Sequence, residues 1–294
     1  MRLFLEELGR RVLVCDGAMG TMLYASGVFV NRSFEELNVS EPELVESVHR
    51  AYRDAGADVL ETNTFGANAL KLSGFGLHDR LGEINQAGVR LARQVAGDSV
   101  YVAGAIGPLG VPIEPHGKTT RDEAERYFRE HAEALRDAGV DLFILETFRG
   151  VDELRAALRA VRAVTTLPVV AQMTTSEDGS TPDGLQPEEF SRQLVGDGAD
   201  VVGVNCGTGP AAMLETVERI AAVTDRPLAA QPNAGMPRAV EGRTLYLSSP
   251  EYVASYARRF VRAGVRLVGG CCGTTPAHTK EISAAVGSAM HEVG

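Results

Sequence analysis

Blocks of apolar residues recur along the chain, and several of them follow a short joint that contains glycine. Four joints are similar: the glycine is followed by alanine or valine, then by a charged residue. They occupy residues 54–58, 137–141, 196–200 and 262–266. A helix that ends at a left-handed glycine and passes into a buried strand has this pattern. Each joint therefore predicts a helix–strand boundary, and the repeat indicates one structural unit used several times.

Four further apolar segments predict strands, at residues 12–15, 100–105, 168–173 and 227–231. With the strands after the joints they make eight. The intervening segments have helical periodicity and start signals, including possible capping boxes at Ser40/Glu43 and Thr120/Glu123 and prolines in the first turn. The predicted helices occupy residues 42–55, 78–96, 120–138, 151–164, 187–197, 210–224, 250–263 and 276–289.

Eight strand–helix units in one chain predict an α/β fold of the (β/α)₈ TIM-barrel type. A doubly wound sheet is the alternative, but it usually has fewer strands and a complete G-x-G-x-x-G turn, which is not found after the first strand. We expect residues 1–294 to form a single domain with a short N-terminal amphipathic helix. The long segments that follow strands predict active-site loops at the C-terminal face of the barrel: 16–40, 63–77, 106–119, 174–186 and 232–248.

Composition narrows the range of partners. The chain has 294 residues and a formal net charge of −10, which argues against nucleic acid or an anionic membrane surface as a partner. No apolar run approaches the roughly 20 residues of a membrane-spanning helix. With no secretory signal, the four cysteines indicate reduced thiols in the cytoplasm.

Three cysteines stand at predicted strand ends. Cys206 ends an apolar run, and Cys271 and Cys272 lie between Gly270 and Gly273 just after the last predicted strand. Three thiols in this arrangement predict a zinc site with one coordination position left open. Adjacent cysteines can share a metal only if the strand has already ended, which the flanking glycines permit. The alternative to a metal site is that these cysteines are small buried side chains or form a redox pair. For the fourth cysteine, Cys15, we predict a packing role in the core.

Polar residues collect at the other strand ends. Asp16 and Glu146 are candidates for binding a substrate ammonium group, although such acids can also cap helices or pair with arginine. The backbone N–H groups of Gly17 and Ala18 could hold a carboxylate. Asn233 is the nearest candidate oxygen donor to the cysteines. The six histidines form no H-x-H or H-E-x-x-H pattern, which argues against a histidine-ligated hydrolase site.

These motifs resemble the zinc-dependent homocysteine S-methyltransferase family, which includes the homocysteine-binding module of cobalamin-dependent methionine synthase and betaine–homocysteine methyltransferase. The resemblance extends from about residue 12 to residue 278. The motifs that carry it are residues 269–276, 204–206, 16–21 and 231–235.

The resemblance implies a (β/α)₈ barrel in which zinc activates homocysteine as a thiolate for methyl transfer to give methionine. It implies that Cys206, Cys271 and Cys272 bind the metal, with the homocysteine sulfur as fourth ligand. It further implies that Asp16 and Glu146 bind the amino group and that the Gly17–Ala18 backbone binds the carboxylate. The resemblance also implies that Asn205 and Asn233 belong to the same substrate site and that the Asn233 oxygen occupies zinc before homocysteine arrives.

The methyl donor is left open by the sequence. There is no Asp-x-His-x-x-Gly cobalamin signature, yet the Met-Gly-Thr-Met run and the 269–276 motif look closer to the methionine-synthase side of the family than to the betaine enzyme. We therefore predict a homocysteine module served by methylcobalamin on another module. The alternative is a stand-alone or fused methyltransferase that uses S-methylmethionine, betaine or folate.

Two other classes compete with this hypothesis. A phosphate-binding barrel isomerase or aldolase would need an acid–base pair or a Schiff-base lysine at the mouth, and no lysine falls within a predicted strand. A structural zinc protein would need four protein ligands rather than three.

Overall fold

The computed structural model describes residues 3–29, 31–240 and 243–293, and its central feature is a ring of eight parallel strands. A parallel bridge between Cys15 and Val59 closes the ring between the first and second strands. The predicted (β/α)₈ TIM barrel is confirmed. The barrel strands are β1 Leu13–Val14, β2 Val59–Glu61, β3 Tyr101–Ile106, β4 Leu142–Phe148, β5 Val169–Met173, β6 Val201–Asn205, β7 Leu228–Gln231 and β10 Val265–Val268, and an antiparallel hairpin of β8 Arg238–Val240 and β9 Arg243–Leu245 follows β7.

Helices occupy the connections between the strands. The four repeated joints behave as predicted, because their glycines adopt φ angles of +99°, +91°, +96° and +95°, a region that glycine enters without strain. The helices are α1 Phe4–Arg10, α2 Met19–Ala25, α3 Leu37–Ser40, α4 Pro42–Asp54, α5 Ala69–Ser73, α6 Leu81–Ala96, α7 Arg121–Ala138, α8 Val151–Val164, α9 Pro187–Gly196, α10 Pro210–Ala221, α11 Pro250–Arg262 and α12 Pro276–Val293, with a 3₁₀ turn at His78–Arg80.

Of the two capping boxes predicted from the sequence, one is confirmed and one is wrong. Thr120 caps α7 in a full capping box with Glu123. The Ser40 prediction is wrong, because Ser40 is the last residue of α3 and Glu41 occupies the N-cap of α4 without a side-chain hydrogen bond. The segments predicted as loops also contain the short helices α2, α3 and α5 and the hairpin.

Side chains alternate between two apolar layers. Val12 and Val14 face the helices, whereas Leu13 and Cys15 point into the barrel, as successive strand residues must. Phe4 and Leu8 of α1 belong to the same interior cluster, so α1 closes the N-terminal end of the barrel. Because side chains fill the interior at this end, we expect a functional site at the opposite, C-terminal end of the barrel.

Candidate metal and substrate site

Three cysteines meet at the C-terminal end of the barrel. The sulfur atoms of Cys206, Cys271 and Cys272 all lie within 4.8 Å of one another, and the Cys206 and Cys272 sulfurs are 3.9 Å apart. Tetrahedral zinc with metal–sulfur bonds of about 2.3 Å separates its sulfurs by about 3.8 Å. The arrangement therefore fits a metal ion with little movement of the side chains.

Unusual backbone geometry directs each sulfur to this point. Cys206 has a φ of +57°, which turns it out of the register of β6, and its N–H donates to the Gln231 carbonyl at 3.1 Å. After β10 has ended, the Cys271 N–H donates to the Pro232 carbonyl at 2.8 Å. Gly273 follows at a φ of +79°, and a Cβ there would lie 2.2 Å from Tyr246. The two adjacent cysteines can share one metal because the strand has ended, as the flanking glycines predicted.

The three thiols form one electrostatic unit. Hydrogen bonds from Cys206 and Cys271 lower the pKa of the Cys272 thiol. Hydrogen bonding to Cys206 and Cys272, together with burial, raises the pKa of Cys271. Because each thiolate disfavours ionisation of its neighbours, the three thiols do not readily ionise together without a compensating positive charge. A soft divalent ion supplies that charge and prefers thiolate ligands.

A cavity of about 380 Å³ opens beside the sulfurs. Glu146, a predicted site residue, lines it, and so does Glu61, to which the sequence analysis assigned no role. Burial raises the pKa of Glu146 well above its usual range, and the nearby Glu61 raises it further. Glu61 stands at the end of β2, so its strand-end position was the signal that could have identified it.

Asp16 is present at the mouth, and its carboxylate lies within 4.8 Å of that of Glu61. Its Oδ2 accepts a hydrogen bond from the Glu61 N–H at 3.0 Å, and it is 2% exposed. Glu61 is held in turn by Gln231, whose Nε2 donates to Glu61 Oε1 at 2.6 Å. Gln172 donates to Gln231 Oε1 at 2.6 Å. In this structure Asp16 thus positions Glu61 and is not among the residues that line the cavity.

Of the two backbone N–H groups predicted to bind the substrate carboxylate, that of Ala18 is already used within the protein. Gly17 and Ala18 both line the cavity, but the Ala18 N–H already donates to Thr274 Oγ1 at 3.2 Å. The same hydroxyl donates to the Cys271 carbonyl at 2.7 Å. Thr274 therefore ties the first strand–helix loop to the cysteine loop, a role that the sequence did not reveal because these residues are far apart in the chain.

The two predicted asparagines are not among the residues that line the cavity, and they differ in their hydrogen bonding. Asn205 is buried and fully engaged, since its amide bonds to Thr147, to Glu146 and to the sulfur of Cys271. Asn233 is 3% exposed, and its Oδ1 has no hydrogen-bond partner among the described residues. A buried amide oxygen without a partner is costly, and one next to the cysteine loop is suited to a metal ion.

The chain is similar in sequence and in fold to known methyltransferases. The sequence profile described as homocysteine S-methyltransferase matches residues 13–286. Methionine synthase of Mycobacterium tuberculosis is 35% identical over 300 aligned residues, which cover 96% of this chain and 25% of that protein; that of Mycobacterium leprae is 34% identical with the same coverage. The chain thus spans about a quarter of the length of these relatives. The metallated homocysteine methyltransferase MmuM of Escherichia coli superposes with a TM-score of 0.81 at 26% identity, over 96% of this chain and 99% of that one.

Proposed function

Because the chain belongs to the homocysteine S-methyltransferase family, we propose that it binds zinc through Cys206, Cys271 and Cys272 and presents homocysteine to a methyl donor. The observation that carries the proposal is the meeting of these three sulfurs beside a cavity lined by carboxylates. Among the described residues the cysteine cluster contains three ligands, and this favours a catalytic site over a closed structural one, which would have four.

Zinc, when bound, keeps the substrate sulfur ionised at neutral pH, where a free thiol with a pKa of about 8.5 is mostly protonated. The protein supplies position and charge. Glu146 and Glu61 face the cavity and bind the substrate ammonium group, while Asp16 holds Glu61 in place. Gly17 retains its role toward the substrate carboxylate, and the unpartnered Asn233 oxygen is available to the metal before substrate arrives.

The carboxylates also distinguish the proposal from a phosphate-binding isomerase or aldolase. A phosphate group entering the cavity would meet Glu61 and Glu146, and the residues that line it in the described chain include neither lysine nor arginine. An ammonium group in the same place favours the ionised form of Glu61 and Glu146, whose pKa values burial raises, and pairs with it. The lining therefore favours an amino-acid substrate.

We further propose that residues 1–294 form the homocysteine-binding domain of a methionine synthase, with methylcobalamin on another module as the donor. The two mycobacterial relatives, 35% and 34% identical to this chain, are methionine synthases about four times as long. No helix in the described part of the chain is long and apolar enough to cross a membrane, and we propose a cytoplasmic location because free thiols persist in a reducing compartment. A stand-alone enzyme that uses S-methylmethionine, betaine or folate is the competing candidate.

The test begins with metal content. Protein purified without chelator should contain about one zinc per chain, and Cys206→Ser should lose it while Cys15→Ser, a buried cysteine outside the cluster, should retain it. Well-folded wild-type protein that cannot bind zinc would overturn the metal site. The zinc-loaded protein is then mixed with homocysteine and each of methylcobalamin, methyltetrahydrofolate, betaine and S-methylmethionine, and methionine is measured. If methylcobalamin is the one donor of the four that gives methionine, the result supports the methionine synthase module. A preference for one of the other three donors supports the stand-alone enzyme instead.

A further inference from the structure

The end of β4 departs from regular strand geometry next to the substrate cavity. Thr147 has a φ of +63°, which is rare for a β-branched residue. The pairing with β5 also shifts register there: Leu145 faces Ala171, while Phe148 faces Met173. One extra residue is therefore accommodated in β4, which forms a β-bulge. A strained backbone of this kind persists only where its surroundings hold it in place.

Asn205 is the side chain that holds the bulge. Its Oδ1 accepts the Thr147 N–H at 2.8 Å, and its Nδ2 donates to Thr147 Oγ1 at 2.9 Å. Because a backbone N–H can only donate, the orientation of the amide is determined by its partner. Asn205 is the last residue of β6 and is 1% exposed, so its amide is fixed inside the protein.

The same Nδ2 reaches two further acceptors. It lies 3.3 Å from Glu146 Oε2 and 3.8 Å from the sulfur of Cys271. Glu146 faces the cavity in which the proposed function places the ammonium group, and Cys271 is one of the three proposed metal ligands. A single buried amide thus contacts both halves of the site.

Resting on the proposed function, we propose that Asn205 is a positioning residue that couples the ammonium site to the metal centre. One of its two N–H groups donates to Thr147 Oγ1, and the other is shared between the Glu146 carboxylate and the Cys271 sulfur. A donor directed at a thiolate stabilises its negative charge. The distance between the amine-binding carboxylate and the metal is thereby set by one side chain, and homocysteine must span that distance with its amino group and sulfur.

Binding to Co²⁺-loaded protein tests the coupling, because thiolate-to-cobalt absorption reports on the sulfurs independently of methyl transfer. Asn205→Asp keeps an oxygen for the Thr147 N–H but removes both N–H donors. We expect this variant to bind homocysteine at least about tenfold more weakly and to shift the absorption band. The matched control is Asn85→Asp, at a buried amide that does not line the cavity and that donates to the Ala67 and Leu81 carbonyls. This control should leave the homocysteine affinity and the absorption band of the folded protein unchanged.

A second pair of variants separates coupling from simple support of the bulge. Thr147→Gly adopts the positive φ without strain, so the bulge no longer needs Asn205. We expect Thr147→Gly/Asn205→Ala to bind homocysteine about tenfold more weakly than Thr147→Gly alone. Equal affinities in this pair, together with an unchanged band in Asn205→Asp, would overturn the inference. Failure of the wild-type protein to bind homocysteine at all would instead overturn the proposed function.

Discussion

Replacement of His49 by leucine should make the fold less sensitive to acid. His49 lies on the buried face of α4, is 0% exposed, and neither ring nitrogen has a hydrogen-bond partner among the described residues. Burial lowers its pKa from 6.5 to about 4. The folded protein therefore keeps the ring neutral at a pH where the unfolded chain takes up a proton.

The magnitude follows from the two pKa values. Above pH 6.5 both states are neutral at this residue, so the free energy of unfolding does not change with its titration. As pH falls from 6.5 to about 4, only the unfolded state is protonated, and stability is lost. At pH 5 the loss amounts to roughly 1.5 pKa units, or about 2 kcal/mol, and below pH 4 it levels off near 3 kcal/mol.

Urea unfolding at pH 7.5 and pH 5.0, with chelator and reductant present, measures this loss without metal binding. The wild type should lose about 2 kcal/mol more than His49→Leu between the two pH values. His116→Gln, at an exposed loop position, is the control and should follow the wild type. The comparison between variants removes the contribution of other titrating groups. A difference below about 0.5 kcal/mol would refute the assignment of a buried neutral ring.

Three further predictions concern the site. Cys271→Ser and Cys272→Ser should lose zinc and methyl transfer while circular dichroism shows an intact barrel; loss of the fold would indicate a structural metal. Homocysteine binding to the zinc-loaded protein should release about one proton near pH 7, measured by calorimetry in buffers of different ionisation enthalpy; absence of release would contradict direct sulfur ligation. Thr274→Val removes the hydroxyl that bonds to Ala18 and Cys271 and should reduce stability by about 1–3 kcal/mol in denaturant, whereas Thr274→Ser should retain most of it; equal loss in both would assign the effect to packing.

The barrel was predictable because its evidence is local. A buried parallel strand is a short apolar run, and the helix before it ends at a glycine, so both signals lie within a few adjacent residues. The same logic failed at Ser40, where the local sequence fits a cap but α3 occupies the position. Short helices such as α2 and α5 are too short to be stable alone, so their sequences carry little signal.

For the site, sequence by itself determined which chemistry was present: three cysteines and an acid at strand ends of one barrel. Only the tertiary structure decided how these groups face one another. It turned Asp16 toward the Glu61 backbone and placed Glu61 on the cavity. It also used the Ala18 N–H for Thr274 and put one asparagine between Glu146 and Cys271. These contacts join residues from different β–α units, and side-chain direction depends on where each strand ends or bulges. Neither is a property of adjacent residues.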